Sequence, residues 1–188
     1  MLKLDPIWQP EAQQLHFRLL LEAMSRPGRC QRLPVIPEDG PLALSVLASL
    51  LDAAVSLADP HGLLREQDWP MLLAQHATAE QADFILCDAS RVPDFMPRLG
   101  SLPKPEQSAT LILVLAELGT ELDKADLLLK LSGPGIARHE TLGVSGLAKE
   151  WIDRREDWVS AFPLGVDMIL LDAVCIAALP RTTRVELS

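Results

Sequence analysis

Apolar residues recur at helical spacing in the first part of the chain and gather into short unbroken runs in the second. Over residues 11–25, Leu15, Leu19 and Ala23 form one stripe, and Phe17, Leu20 and Met24 form a neighbouring one. That spacing predicts an amphipathic helix, which Pro27-Gly28 stops, with Gly28 suited to a left-handed cap. Residues 42–58 are largely apolar, broken only by Ser45, Ser49, Asp52 and Ser56 at intervals of four, three and four. This predicts one long helix with a narrow polar stripe, surrounded by protein either within its own domain or partly at a subunit interface. A membrane span is disfavoured, because Asp52 would sit deep in the bilayer. A weaker helix is expected within residues 68–79.

The rhythm then changes. Residues 83–87 and 109–115 read as strands that are apolar on both faces. Residues 127–131 form another strand, with Lys130 marking a less buried face. Residues 147–162 predict an amphipathic helix with Leu147, Trp151 and Trp158 near one face, and Glu150 and Arg154 as an i,i+4 pair opposite. Residues 166–171 and 174–179 are two further strands with only Asp172-Ala173 between them, so an antiparallel hairpin is expected. The sum is a single α/β domain over residues 1–188, with helices over 11–79 and a sheet-forming region over 82–185. The sheet is expected to be mixed rather than purely parallel.

Composition narrows the function classes. The chain has 188 residues and a formal charge of −9, from 17 basic and 26 acidic residues. A surface of that sign repels nucleic acid and anionic lipid, and no basic run offsets it: Arg154-Arg155 is flanked by Asp153 and Glu156. Cys30, Cys87 and Cys175 are odd in number and widely spaced, which argues against a disulfide framework or a zinc site. Cys87 and Cys175 lie in apolar runs and read as inert small hydrophobes. With no signal-peptide pattern in residues 1–6, a reducing cytoplasm is the expected compartment.

The strongest chemical signals are missing. There is no Walker A sequence, no G-x-G-x-x-G and no G-x-S-x-G, and the four histidines are scattered. Four turn-like signatures stand out instead, each at the edge of an apolar run. The first is Ser25-Arg26-Pro27-Gly28-Arg29, where Arg26 and Arg29 either interact with a helix C-terminus or contact an anion. The second, Ser132-Gly133-Pro134-Gly135-Ile136, is either a tight strand exit or a backbone cradle for an anion, and residues 133–146 read as one long loop. The third is Phe162-Pro163-Leu164-Gly165-Val166-Asp167. The fourth, Leu179-Pro180-Arg181-Thr182-Thr183, with Arg184 following, offers two guanidiniums and two hydroxyls that suit phosphate or phosphonate oxygens, unless it is simply an edge strand whose arginines pair with surface acids. Candidate ligand or interface residues are therefore Gly133, Pro134, Gly135, Arg181, Thr182, Thr183, Arg26 and Arg29. No catalytic residue is assigned, and no lysine has surroundings that suggest a Schiff base.

In order and spacing, these signatures resemble the PhnH family of carbon–phosphorus lyase subunits. The resemblance also runs through Phe17-Arg18, Ala82-Asp83-Phe84 and Pro105-Glu106-Gln107-Ser108-Ala109-Thr110, and Gly100-Ser101 replaces an expected Gly-Thr. It implies a three-layer α/β/α fold like that of pyridoxal-phosphate-dependent transferases, with a degenerate cofactor site and no bound pyridoxal phosphate. It implies a homodimer that joins PhnG, PhnI and PhnJ, with the ATP-binding-cassette-type subunit PhnK associated. That complex turns ATP and an alkylphosphonate into a ribose 1-phosphonate 5-triphosphate and releases adenine. The chain would then be an accessory subunit. A free-standing pyridoxal-phosphate enzyme and an interaction module without ligand are the alternatives.

Overall fold

Strands that are apolar on both faces require a covering layer on each side of their sheet. The computed structural model describes residues 5–119 and 122–188, so residues 1–4, with Lys3, lie outside it. In chain order, α1 (Pro10–Ser25) is followed by β1 (Gln31–Arg32), α2 (Ala43–Leu50), β2 (Ser56–Ala58), α3 (Trp69–Leu72), β3 (Gln75–His76) and β4 (Phe84–Asp88). Then come β5 (Leu99–Ser101), β6 (Lys104–Ser108), β7 (Thr110–Val114), β8 (Glu117–Gly119), β9 (Leu127–Ser132) and β10 (Glu140–Ser145). Last are α4 (Glu150–Val159), β11 (Asp167–Leu171), β12 (Cys175–Leu179) and β13 (Arg184–Leu187).

The central sheet is seven-stranded, in the order β1-β12-β11-β7-β4-β2-β3. β12 runs antiparallel to both of its neighbours, and the other pairings are parallel. Alternate side chains face opposite layers. Leu86, Ile112 and Ile169 pack with Leu20 of α1 and with Leu44, Val46 and Leu47 of α2. Ile85, Leu111, Leu113, Met168 and Leu170 point the other way. They pack against Leu129, Leu131, Leu142 and Val144 of a second, antiparallel sheet (β13-β9-β10-β8) and against Trp151 and Trp158 of α4. The chain is thus α/β with a mixed sheet. Helices form one outer layer, whereas on the other face α4 shares its layer with a sheet.

Several elements differ from the sequence pattern. The long helix expected over 42–58 is only α2; Ala43 to Ala48 are all buried within the chain. Leu51 is extended, and Asp52 Oδ1 accepts the Ala54 N–H at 2.8 Å. This local side-chain bond competes with helix continuation, and Ser56 then enters the central sheet. Region 11–79 accordingly supplies β1, β2 and β3 as well as helices. The loop expected over 133–146 is a hairpin, because β10 pairs with β9 from Glu140 onward. On α1 the buried positions are Ala12, His16, Leu20 and Ala23, while Leu15 and Phe17 are exposed. The expected Glu150–Arg154 pair gives way to Lys149–Asp153, at 2.8 Å. The β11–β12 hairpin forms, and Asp172 Oδ1 accepts the Val174 and Cys175 N–H groups across its turn. Among the described residues, no helix is long and apolar enough to cross a membrane.

His16 is fully buried, and neither ring nitrogen has a hydrogen-bond partner. Burial lowers its pKa; the adjacent Val35 and Ser45 backbone groups pull the other way without completing a hydrogen bond. The folded protein therefore holds this imidazole neutral at pH values where the unfolded chain takes up a proton. Stability from this group is intact above the ordinary histidine pKa of about 6.5 and declines as pH falls below it. Denaturant melts at pH 7.5 and pH 5.5 should show a larger loss on acidification for the natural chain than for His16→Leu. Equal losses would mean that His16 is not held neutral.

Candidate functional site

The four turn signatures meet along one edge of the molecule, and glycine makes two of the contacts possible. Gly133, at φ +132°, lies so close to the 180–183 turn that a β-carbon would sit 2.8 Å from the Thr182 carbonyl oxygen. Gly135, at φ +82°, abuts the end of α1, where a β-carbon would be 2.1 Å from the Ser25 carbonyl oxygen. Only a residue without a side chain allows such approaches. Arg26 pairs with Glu22 at 3.1 Å, and Arg29 approaches Glu140 of β10 at 3.9 Å. Both pairs are solvent-exposed, so each adds little to stability.

Arg181 ties the remaining signatures together. Its Nε and Nη2 donate to the Asp167 carboxylate at 3.3 and 2.6 Å, Nη1 donates to the Pro105 and Pro163 carbonyls at 3.2 Å each, and Nη2 also reaches Ser108 Oγ at 2.5 Å. All five guanidinium N–H groups are used. One side chain therefore links the 180–183 turn, the start of β11, the 162–165 turn and β6. Asp83 does similar work elsewhere: its carboxylate accepts from the Ser56 N–H and hydroxyl at 2.8 and 2.6 Å and from Arg98. Burial alone would raise the Asp83 pKa, but these hydrogen bonds outweigh it and hold the carboxyl below its usual range.

Beside the 180–183 turn, α4 and the beginning of β13 enclose a cleft of about 540 Å³. Arg181, Thr182 and Thr183 line it; Gly133, Pro134, Gly135, Arg26 and Arg29 do not. The cleft also brings in Arg155, which the sequence presents only as part of an acid-flanked pair. Arg155 lies four residues after Trp151 and three before Trp158, on the buried face of α4, and only 2% of it is exposed. Helical periodicity alone places it on the apolar face. Its Nη2 donates to the Pro180 and Thr183 carbonyls at 2.6 and 3.0 Å. Burial pulls its pKa down to about 10, against a through-space attraction from Asp167.

Other chemistry is less well served. Lys104, Lys124, Lys130 and Lys149 are exposed, and Asp153 raises the Lys149 pKa rather than lowering it. A pyridoxal aldehyde needs a buried lysine of depressed pKa, so these residues do not fit that group. Burial raises the thiol pKa of Cys87 and Cys175 and lifts Cys30 to about 11, which disfavours thiolates. No cluster of three or more metal-ligating side chains is found among the described residues.

Because Arg181 and Asp167 are each more than four-fifths buried, Arg181→Ala leaves a carboxylate without its countercharge and the Pro105, Pro163 and Ser108 acceptors without their donor. Urea unfolding should show a loss of roughly 3 kcal/mol. Arg26→Ala, which breaks only an exposed pair, should change stability by less than about 0.5 kcal/mol. Similar effects from the two changes would contradict this division of labour.

Comparison with known proteins agrees with the signatures. Residues 7–186 match the family described as bacterial phosphonate metabolism protein (PhnH). A protein of Stutzerimonas stutzeri named as a C-P lyase subunit, HtxG, is 41% identical over 181 residues, covering 96% of this chain and 89% of that protein. The alpha-D-ribose 1-methylphosphonate 5-triphosphate synthase subunit PhnH of Rhizobium meliloti (strain 1021) is 28% identical over 198 residues, covering 97% of this chain and 92% of that protein. A family match over nearly the whole chain makes this protein a member of the PhnH family of phosphonate metabolism proteins.

Proposed function

We propose that this chain is an accessory subunit of a carbon–phosphorus lyase complex. In that role it supports ATP-dependent formation of α-D-ribose 1-methylphosphonate 5-triphosphate, with release of adenine, alongside PhnG, PhnI and PhnJ and the ATP-binding-cassette-type subunit PhnK. It works in the cytoplasm without a cofactor of its own, forms a homodimer when isolated, and is a degenerate relative of the pyridoxal-phosphate transferase fold. The observation that carries this reading is the 41% identity, over 96% of the chain, to a relative named as a C-P lyase subunit. The geometry is compatible with it: most signature residues engage one another, as expected of a scaffold that presents a shaped surface. The exposed lysines give a free-standing pyridoxal-phosphate enzyme no support.

Adenine release from ATP and methylphosphonate tests the proposal. The purified chain alone should release none, and the same chain added to PhnG, PhnI and PhnJ should restore release that those subunits cannot sustain without it. Efficient release by the isolated chain would overturn the accessory role. Full activity of the other subunits without this chain would overturn its membership in the reaction.

A further inference from the structure

Two arginines hold the 180–183 turn, and they differ in one respect. Arg181 places every N–H group on an acceptor within the chain. Arg155 is as deeply buried as any charged group described here, yet its two hydrogen bonds both leave Nη2 and both end on neutral carbonyls. Its buried Nε has no acceptor, and the buried Thr183 Oγ1 has no partner either. Nη1 also makes no hydrogen bond among the described residues, so three of the five guanidinium N–H groups have no acceptor within the chain there, of which the one on Nε is buried. Leaving a buried cation and a hydroxyl unsatisfied is costly unless something completes them.

Arg155, Thr183 and the exposed Arg184 line the same cleft. A tetrahedral oxyanion supplies what this wall lacks. Its oxygens can accept from the guanidinium N–H groups that Nη2 leaves over and from the threonine hydroxyl, and the cation favours such an anion by charge. Glu156 and Glu186 also line the cleft, and both are exposed. Their charge disfavours a polyphosphate chain more than a single anionic group. The ring of Phe162 adds an exposed apolar wall for the uncharged remainder of a ligand.

We propose that the cleft between α4 and the 180–183 turn binds the phosphate or phosphonate group of a small molecule, with Arg155, Thr183 and Arg184 as its anion contacts. The choice of phosphorus oxyanion rests on the functional reading above. The site itself rests on the unmatched donors and the hydroxyl.

Calorimetric titration of the full chain with inorganic phosphate and with methylphosphonate tests this, run at constant ionic strength with sodium chloride as the control. Saturable binding is expected, together with a rise in melting temperature that chloride does not reproduce. Thr183→Val should keep or raise the melting temperature of the ligand-free chain, because it removes a buried hydroxyl that bonds nothing there, and should weaken binding by at least about tenfold. Arg184→Ala should weaken it too, with no change in fold. No saturable binding by the natural chain would overturn the proposal, as would binding that both variants retain in full. If small anions fail to bind but Thr183→Val no longer co-purifies with PhnG, PhnI and PhnJ, the missing acceptor is a partner's carboxylate and the small-molecule site is refuted. If binding fails while the chain still restores adenine release, only this proposal falls and the accessory role stands.

Discussion

The paired charge of Arg181 and Asp167 is the contact on which the motif edge depends. Neither partner could remain in that position alone, since an isolated buried carboxylate or guanidinium is strongly disfavoured. Together they sit mostly out of solvent, joined at 2.6 Å. Asp167 opens β11 in the middle of the central sheet, and Arg181 lies just beyond β12, so the pair fixes the open end of the β11–β12 hairpin. The remaining donors of Arg181 then bring in Pro105, Ser108 and Pro163, which no backbone ladder would place there.

The 180–183 turn is consequently held from two sides. Arg181 fastens it to the central sheet, and Arg155 reaches its carbonyls from α4 in the second layer. Gly133 lets β9 press against the same turn, and Gly135 carries the contact on to the end of α1. Four short sequences far apart in the chain thus form one continuous contact region.

How much of this the sequence discloses depends on the physical signal. The central strands were legible because unbroken apolar runs such as Leu111-Ile112-Leu113 admit few other readings. The β11–β12 hairpin was legible because so few residues separate its strands. Of the second sheet only β9 is legible, as the apolar run over 127–131; Gly143 and Gly146 resemble loop residues, and only the cross-strand partner of β10 makes it a strand. The strands β1, β2 and β3 have two or three residues each, too short for any periodicity to register. Of the candidate site residues, Gly133, Gly135 and Arg181 are marked in the structure by close approach and internal hydrogen bonding. Arg155 is hidden in the sequence because it sits in an arginine pair flanked by Asp153 and Glu156, although its neighbours in the helical period are tryptophans.

The most direct test of the central claim is a double-mutant cycle of Arg181→Gln and Asp167→Asn, read by urea unfolding. If the pair anchors the motif edge, the two changes should be strongly non-additive, with a coupling energy of roughly 2 kcal/mol. Additive effects, with coupling below about 0.5 kcal/mol, would show that the edge is assembled without this pair and would contradict the account.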